Sequence, residues 1–300
     1  MASEGSVGSI HEAVALGDRR AVAAHLQRQP ECVLHRDDEQ RTPLLLAAAA
    51  GDCTTVTVLI RRMGHHDAGA INWPDLSGLT PLHWACTQQR YEVVELLLRH
   101  GASTEAEDED GRRPIHSVAF AGNVRCMSLL LRHVSHDGVS APSSDGLTPL
   151  HYAALSGSCT AISLLLEARA NLHAKDEERR TALSWAASEA HDQAVEQLLA
   201  ANADPCATDA NGLGPLHHAV KSGAIACVQH LLNAGASALS RSVGGMLPEE
   251  LARCHDSPTA AGLVALLALR AEAEAYSRQE ALISEEAAEA EASDCLVSTE

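Results

Sequence analysis

The sequence predicts an all-α repeat solenoid, in which stacked helix-turn-helix units are joined by short β-hairpin loops. A segment at Thr80–Ala85 (TPLHWA) recurs with variants that begin at residues 42, 80, 113, 148, 181, 214 and 247. The spacing between these starts is 33 residues in four of the six steps, and 38 and 35 in the other two. An apolar fraction of 46% with only 2% aromatic residues suits a core of small aliphatic side chains. Units of this size cannot bury their apolar faces alone, so neighbours must cover one another.

Each unit is predicted to begin with a short helix. In the unit at residue 80, Thr80 can cap the helix N-terminus, and Pro81 suits the first helical position, where the missing N–H would have no partner anyway. Leu82, Ala85 and Cys86 follow at three-to-four spacing, which places them on one face. We expect that face to contact a neighbouring unit.

A second helix and a tight turn complete the unit. The second helix is predicted from about Glu92 to His100, and Gly101 supplies the left-handed residue that ends it. The turns before four of the first helices have Asp or Asn followed by Gly, as in Asp75–Gly78, which favours the tip of a short β-hairpin. The corresponding tip at residues 177–180 (EERR) has no glycine, so its turn type stays open.

The array is predicted to cover residues 8–267 in about eight units, with starts near 8, 42, 80, 113, 148, 181, 214 and 247. The first and last units depart from the motif, as terminal repeats do because one face meets water. The longer steps place extra residues around Met63–Ala70 and His133–Ser140. Residues 1–7 form an N-terminal tail. Residues 268–300 form an acidic tail rich in Ala and Glu, helical at first and expected to fray from about Glu285.

Charge and cysteine content exclude several classes of protein. The formal net charge is −18, and residues 271–300 contain nine acidic residues and one arginine. Nucleic-acid binding is not expected, because phosphates require a basic surface. The nine cysteines include no CxxC pair and are expected to stay reduced. Since no segment has the pattern of a secretory leader or a membrane span, we expect a cytoplasmic protein that does not insert into membranes, with the nucleus or cytoskeleton as alternative locations.

The seventeen histidines invite a search for catalytic or metal sites. One motif position is histidine in four units, namely His83, His116, His151 and His217. Their spacing of about one repeat is too wide for a shared metal ion. His65 and His66 lie in an insertion without further converging ligands. No phosphate-binding loop or nucleophile motif is present. We therefore predict no catalytic, cofactor-binding or metal site, and a protein that is not an enzyme.

The residues of the motif and its period resemble those of the ankyrin repeat, over roughly residues 8–267. The resemblance implies hydrogen bonds from the motif histidines to neighbouring turns, and a concave groove, lined by tips and first helices, that engages another protein. The candidate partner-binding residues in the tips are Trp73, Asp75, Leu76, Ser77, Glu107, Glu109, Asp110, Asp145, Glu177, Glu178, Asp209 and Asn211. The variable motif position adds Trp84, Tyr152, Trp185 and His218. Whether these four rings anchor a partner or fill space between helices stays open.

The predicted function is that of a protein-interaction scaffold or adaptor, monomeric in isolation and without a cofactor. The acidic tips, such as Glu105–Asp110, favour a partner with a basic surface. One alternative is a regulatory or substrate-receptor subunit of an enzyme complex, such as a ubiquitin ligase or a kinase. Another is a scaffold associated with cilia or microtubules, because Leu82–Ala85 and Asn72–Asp75 are similar to inversin-type arrays.

Overall fold

The computed structural model describes residues 8–64, 67–254 and 259–297. Within these ranges the chain is helical and has no β-strand. The α-helices are α1 (Ile10–Ala15), α2 (Arg19–Arg28), α3 (Pro43–Ala50), α4 (Cys53–Met63), α5 (Pro81–Thr87), α6 (Tyr91–Arg99), α7 (Pro114–Ala121), α8 (Val124–Leu130), α9 (Pro149–Leu155), α10 (Cys159–Glu167), α11 (Ala182–Ser188), α12 (Asp192–Ala200), α13 (Pro215–Ser222), α14 (Ile225–Asn233), α15 (Pro248–Arg253) and α16 (Ala260–Val297). The predicted tail at residues 1–7 and the pair His65 and His66 lie outside the described residues.

Three short 3₁₀ helices occur among the described residues, at Pro30–Leu34, Ala68–Asn72 and Asp137–Ser140. The second and third overlap the two segments that the longer repeat steps mark as extra residues. In both segments, part of the added chain therefore folds as a tight helical turn before the next tip.

The first compact unit, Met1–Glu177, contains α1 to α10. Its first helices α1, α3, α5, α7 and α9 contact one another in sequence order, and the second helices α4, α6, α8 and α10 do the same in an adjacent layer. Each first helix also packs on the second helix of its own pair. The unit is therefore a two-layered stack of helical hairpins.

The second compact unit, Glu178–Glu300, contains α11 to α16. Here α11, α13 and α15 form the layer of first helices, while α12, α14 and α16 form the other layer. Leu263 and Leu267 of α16 are fully buried. The helix continues to Val297, beyond the point near Glu285 where the composition predicts fraying, and Ala and Glu are among the strongest helix formers. In the part of the chain that the structure describes, no helix combines the length and apolarity needed to cross a bilayer.

The pair α5 and α6 shows why these short segments fold. Thr80 caps α5 and Pro81 occupies its first position. Leu82 on α5, with Val94 and Leu97 on α6, is almost completely buried. Burying one such aliphatic side chain stabilises the fold by about 1.5–3 kcal/mol. Since helices of this length are marginal in water, packing between units supplies most of their stability.

The predicted hairpin loops form their reversals without a β-ladder. In the tip at Asp75, the Gly78 N–H donates to the Asp75 carbonyl at 3.1 Å, and the Asp75 N–H donates to the Leu79 carbonyl at 3.0 Å. These few bonds close a turn but do not extend into a pair of strands. The tip without a glycine, left open by the sequence, places Arg179 in the left-handed conformation, with φ of 63°.

Backbone hydrogen bonds join successive tips. In the first compact unit, the Leu76 N–H donates to the Glu39 carbonyl at 3.1 Å, and the Glu109 N–H donates to the Ser77 carbonyl at 3.0 Å. The Ser144 N–H donates to the Asp110 carbonyl at 2.8 Å, and the Glu177 N–H donates to the Asp145 carbonyl at 3.1 Å. In the second unit, Ala210 donates to Glu178 and Val243 to Asn211, both at 2.8 Å. The backbone therefore fixes the spacing at which each unit presents its tip side chains.

Candidate partner-binding surface

Asp75 and Asp209, two of the predicted contact residues, serve their own turns. The Asp75 Oδ1 accepts hydrogen bonds from the N–H groups of Ser77 at 3.0 Å and Leu79 at 2.9 Å. Asp209 makes the corresponding bonds at 2.8 and 2.9 Å, with its side chain almost fully buried. Their carboxylates therefore hold the tips in shape.

The second carboxylate oxygen of each aspartate positions a ring from the variable motif position. Trp84 Nε1 donates to Asp75 Oδ2 at 2.8 Å, and His218 Nε2 lies 3.1 Å from Asp209 Oδ2. Burial lowers the pKa of His218, although the neighbouring Asp209 raises it, so the ring is neutral near pH 7. Both rings are half-buried, and the tip carboxylate sets the direction in which each faces.

The other two predicted rings are held by different contacts. The Arg180 guanidinium lies over the Trp185 ring, 3.9 Å from its centroid, a favourable cation–π arrangement. Tyr152 packs edge-on against His116, with centroids 5.5 Å apart and ring planes at 80°. Both rings are half-buried. Each of the four rings is therefore partly packed against its own chain and partly open to solvent.

Among the remaining predicted tip residues, Leu76 carries the apolar side chain most open to solvent, at 59% exposure. Trp73 is half-buried, with the Arg36 guanidinium 4.6 Å from its ring centroid. The polar candidates Ser77, Asp145, Glu177, Glu178 and Asn211 are exposed. Of these, Glu178 forms an ion pair with Arg180 at 3.2 Å.

The acidic tip at residues 105–110 is partly neutralised by arginines of the same unit. Glu107 pairs with Arg113 at 3.0 Å, and Asp110 pairs with Arg112 at 2.8 Å. Glu109 is exposed, and its backbone N–H is used in the bond between tips. The negative field of this tip is therefore weaker than the sequence suggests, because two of its three predicted contact acids already have cationic partners.

A hollow of about 450 Å³, which we call the Phe120 hollow, opens beside these tips and has no counterpart in the sequence prediction. Leu79, Ser117, Phe120 and Tyr152 contribute to its lining, together with the polar side chains Gln89, Asp108 and Arg112. Phe120 is 54% exposed. Ser117 takes the motif position that is Trp84 in the preceding unit and Tyr152 in the following one. A small residue between two large rings leaves this space open.

Phe120 was missed because it lies outside the motif, near the end of α7. A signal for it does exist in the sequence. The equivalent position varies from unit to unit, as Ala49, Thr87, Leu155, Ser188 and Lys221. All of these positions are half-buried or exposed, so packing within the repeat does not dictate the residue type there.

Two of the motif histidines, His83 and His116, act as cross-links between units, as the family resemblance implies, whereas His217 Nε2 is buried without a hydrogen-bond partner among the described residues. The Thr80 N–H donates to His83 Nδ1 at 3.1 Å, which leaves the proton on Nε2 for the Arg112 carbonyl at 3.0 Å. His116 reaches the Ala141 carbonyl at 2.9 Å, and burial lowers its pKa to about 4. The described residues contain no cluster of three or more His, Cys, Asp or Glu side chains that could hold a metal ion.

Comparisons with known proteins agree with this architecture. A family profile described as "Ankyrin repeats (3 copies)" matches residues 10–108, 101–176 and 168–242. Inversin of Gallus gallus is 31% identical over 127 residues, which are 42% of this chain and 11% of that protein. Ankyrin repeat and SOCS box protein 16 of Homo sapiens is 32% identical over 99 residues, 33% of this chain and 20% of that protein. This chain therefore spans only a small part of the curated relatives that it matches.

Among solved structures, the ankyrin repeat domain of Bcl-3 superposes with a TM-score of 0.62 at 26% identity. The superposition covers 76% of this chain and 99% of that domain. Ankyrin repeats bind other proteins, and the fold is generally a non-enzymatic interaction module. Because the profile matches extend from residue 10 to residue 242 and the solved neighbour has the same helical architecture, this chain belongs to the ankyrin-repeat family.

Proposed function

We propose that the protein is an interaction scaffold or adaptor that binds a partner protein through the tips and first helices of residues 73–155. The Phe120 hollow is the observation that carries this proposal. It places a half-exposed phenylalanine and the Tyr152 ring on the walls of one concavity of about 450 Å³. Such a site accepts one large apolar side chain of a partner, the kind of buried anchor that dominates binding energy in protein interfaces.

The surrounding framework is preorganised for a partner. The tip backbones bond to one another, and Trp84 is oriented by Asp75, so the surface is preorganised and little ordering is required on binding. A standard interface buries about 800 Å² on each partner, an area that three or four units supply. We propose that the partner segment enters the hollow and lies across the adjacent tips.

Charge gives a second, weaker preference. Glu109 and Asp145 are exposed in the tips of this segment, which favours basic residues flanking the apolar anchor of the partner. Because Glu107 and Asp110 already pair with arginines, the affinity should depend only moderately on salt concentration. The apolar anchor, rather than the net charge, is expected to decide which partner binds.

The test compares partners recovered by affinity purification and mass spectrometry with the wild-type chain and with Phe120→Asp. The matched control is Val124→Asp, which adds the same charge at a partly exposed position on α8 in the same helical pair. We expect a partner that is lost with Phe120→Asp and retained with Val124→Asp, while circular dichroism shows both variants folded. Recovery of the same partners with both variants would overturn the proposed site.

A further inference from the structure

Helix α16 leaves the repeat array after about its fourth turn. Its last bonds to the array are made by Arg270, which donates to the Leu232 carbonyl at 3.0 Å, and by Glu274. The Glu274 carboxylate accepts hydrogen bonds from the Ser237 hydroxyl at 2.7 Å and the Ala238 N–H at 2.9 Å. Every residue from 275 to 284 is exposed. The helical segment 275–297 therefore extends about 34 Å beyond these contacts.

An apolar stripe follows one side of this helix. Leu269, Tyr276 and Ile283 are seven residues apart and are 68%, 64% and 59% exposed. Leu266 and Ala273 precede two of them by three residues, which completes the alternating three-and-four spacing of a coiled-coil seam. On a helix with about 100° per residue, this stripe lies well away from the face that buries Leu263 and Leu267. Large apolar residues in this arrangement are exposed without a covering element of the array.

The stripe begins in a groove beside the array. Leu266, Leu269 and Ala273 of α16 line a groove of about 440 Å³, together with Gln229 and Leu232 of α14. A helix laid along the stripe would therefore start in a concave surface formed by two helices and continue along α16 alone. Contact with α14 would also hold one end of the bound helix in place.

Charge along the stripe argues against a second copy of the chain as the occupant. Glu280 occupies a seam position, and Glu272 flanks the seam. In a parallel pair of copies, Glu280 would face its own equivalent. In an antiparallel pair it would face an apolar stripe residue and be buried without a partner, which is costly. Arg270, the basic residue at the flank, is already bonded to the Leu232 carbonyl.

We propose that the α16 stripe (Leu266, Leu269, Ala273, Tyr276 and Ile283) binds an amphipathic helix of another protein. That helix carries aliphatic residues toward the stripe and a lysine or arginine opposite Glu280 and Glu272. The stripe supplies the apolar contact, and the glutamates select the basic partner. This surface is separate from the Phe120 hollow, so the two proposals stand or fall independently.

The test uses two fluorescent synthetic peptides of about four heptads, long enough to be helical when paired. Both carry leucine at every seam position except the one opposite Glu280. One has lysine at the flanking positions and opposite Glu280, and the other has glutamate there. Fluorescence anisotropy with the full chain should show binding of the lysine peptide, at least about tenfold tighter than the glutamate peptide. The difference should shrink as salt is added.

Matched variants locate the contact. Ile283→Ala and Leu269→Ala should each weaken the lysine peptide by about tenfold. Leu282→Ala is the control, because Leu282 is 60% exposed on the same helix but off the stripe, and it should change nothing. Glu280→Lys should shift the preference toward the glutamate peptide, and Phe120→Asp should bind as the wild type does.

Three results would overturn the proposal. The first is no measurable binding of the lysine peptide. The second is an equal loss of affinity with Leu282→Ala and Ile283→Ala. The third is sedimentation of the wild-type chain as a dimer that Ile283→Ala dissociates, since a second copy would then cover the stripe.

Discussion

The stack has two edges, one formed by the hairpin tips and one by the ends of the second helices, and two glycines in the left-handed conformation show that these edges are packed differently. Gly78 lies in a hairpin tip with φ of 78°, and Gly101 follows the second helix of the same unit with φ of 85°. A Cβ on Gly78 would lie 2.8 Å from the Cα of Asp108 and the N of Glu109, whereas one on Gly101 would meet nothing within 4 Å. Units are thus in backbone contact at the tips and open at the second-helix ends. The edge that carries the candidate contact residues is the tightly joined one.

The largest expected effect is that of Gly78→Ala. Left-handed strain and a clash with the backbone of the next tip should together lower the free energy of unfolding by about 4 kcal/mol. Urea unfolding followed by the fluorescence of Trp73 and Trp84 measures the change, and hydrogen exchange should show loss of protection across residues 75–112. A loss no larger than that of Gly101→Ala would contradict the difference between the edges.

The second-largest effect is expected from acid, which should lower the free energy of unfolding because buried histidines such as His116 link one repeat to the next. Burial holds the pKa of His116 at about 4, below its usual value of 6.5, so the unfolded chain binds a proton that the folded chain excludes. This contribution is complete above pH 6.5 and is lost as the pH falls toward 4. His116 alone should account for on the order of 3 kcal/mol.

Urea titrations at pH 7 and at pH 4.5 test this pH dependence. His116→Gln should show a smaller difference between the two pH values than the wild type. His173→Gln, at an exposed position, serves as the control and should behave as the wild type does. If His116→Gln keeps the full pH dependence, the link between this histidine and the acid sensitivity is wrong.

Gly101→Ala should have a smaller effect, because it introduces left-handed strain without a collision. We expect the free energy of unfolding to fall by about 1 kcal/mol. The same urea experiment applies, and the comparison with Gly78→Ala isolates the contribution of the clash. A loss as large as that of the tip variant would show that the second-helix edge is also closely packed.

The smallest effect concerns Ala190, an alanine already held in the left-handed conformation, with φ of 60°, after α11. Ala190→Gly should raise the free energy of unfolding by about 0.5 kcal/mol, since relief of strain exceeds the added chain entropy of the unfolded state. Trp185 fluorescence reports unfolding in this unit. Ala187→Gly, in the buried interior of α11, should instead destabilise it.

The fold was predictable because its determinants are local and repeated. Thr80 as a helix cap, Pro81 at the first helical position, an apolar face that contains Leu82, and a fixed period together specify stacked helical hairpins. The roles of the tip residues were harder to predict from the sequence. An aspartate at the start of a tip has the same appearance whether it binds a partner or, like Asp75, its own turn.

The Phe120 hollow could not be predicted from the sequence, for a different reason. The exposure of Phe120 depends on how little Ser117 fills and on where Tyr152 of the next unit lies. Those are properties of three neighbouring units rather than of one motif. The pairing of Glu107 and Asp110 with arginines also required coordinates, because charge counts do not tell which acids are already neutralised.

The hydrogen bonds between tips bear on how such chains change length. Each tip between the first and the last donates one N–H to the tip before it and offers one carbonyl to the tip after it, at equivalent positions. Excising or duplicating a whole unit would leave the same donor opposite the same acceptor, with no orphaned polar group at the splice. Insertion or deletion of whole repeats therefore keeps the backbone hydrogen bonds between tips. Selection can then act on the side chains that are newly brought together.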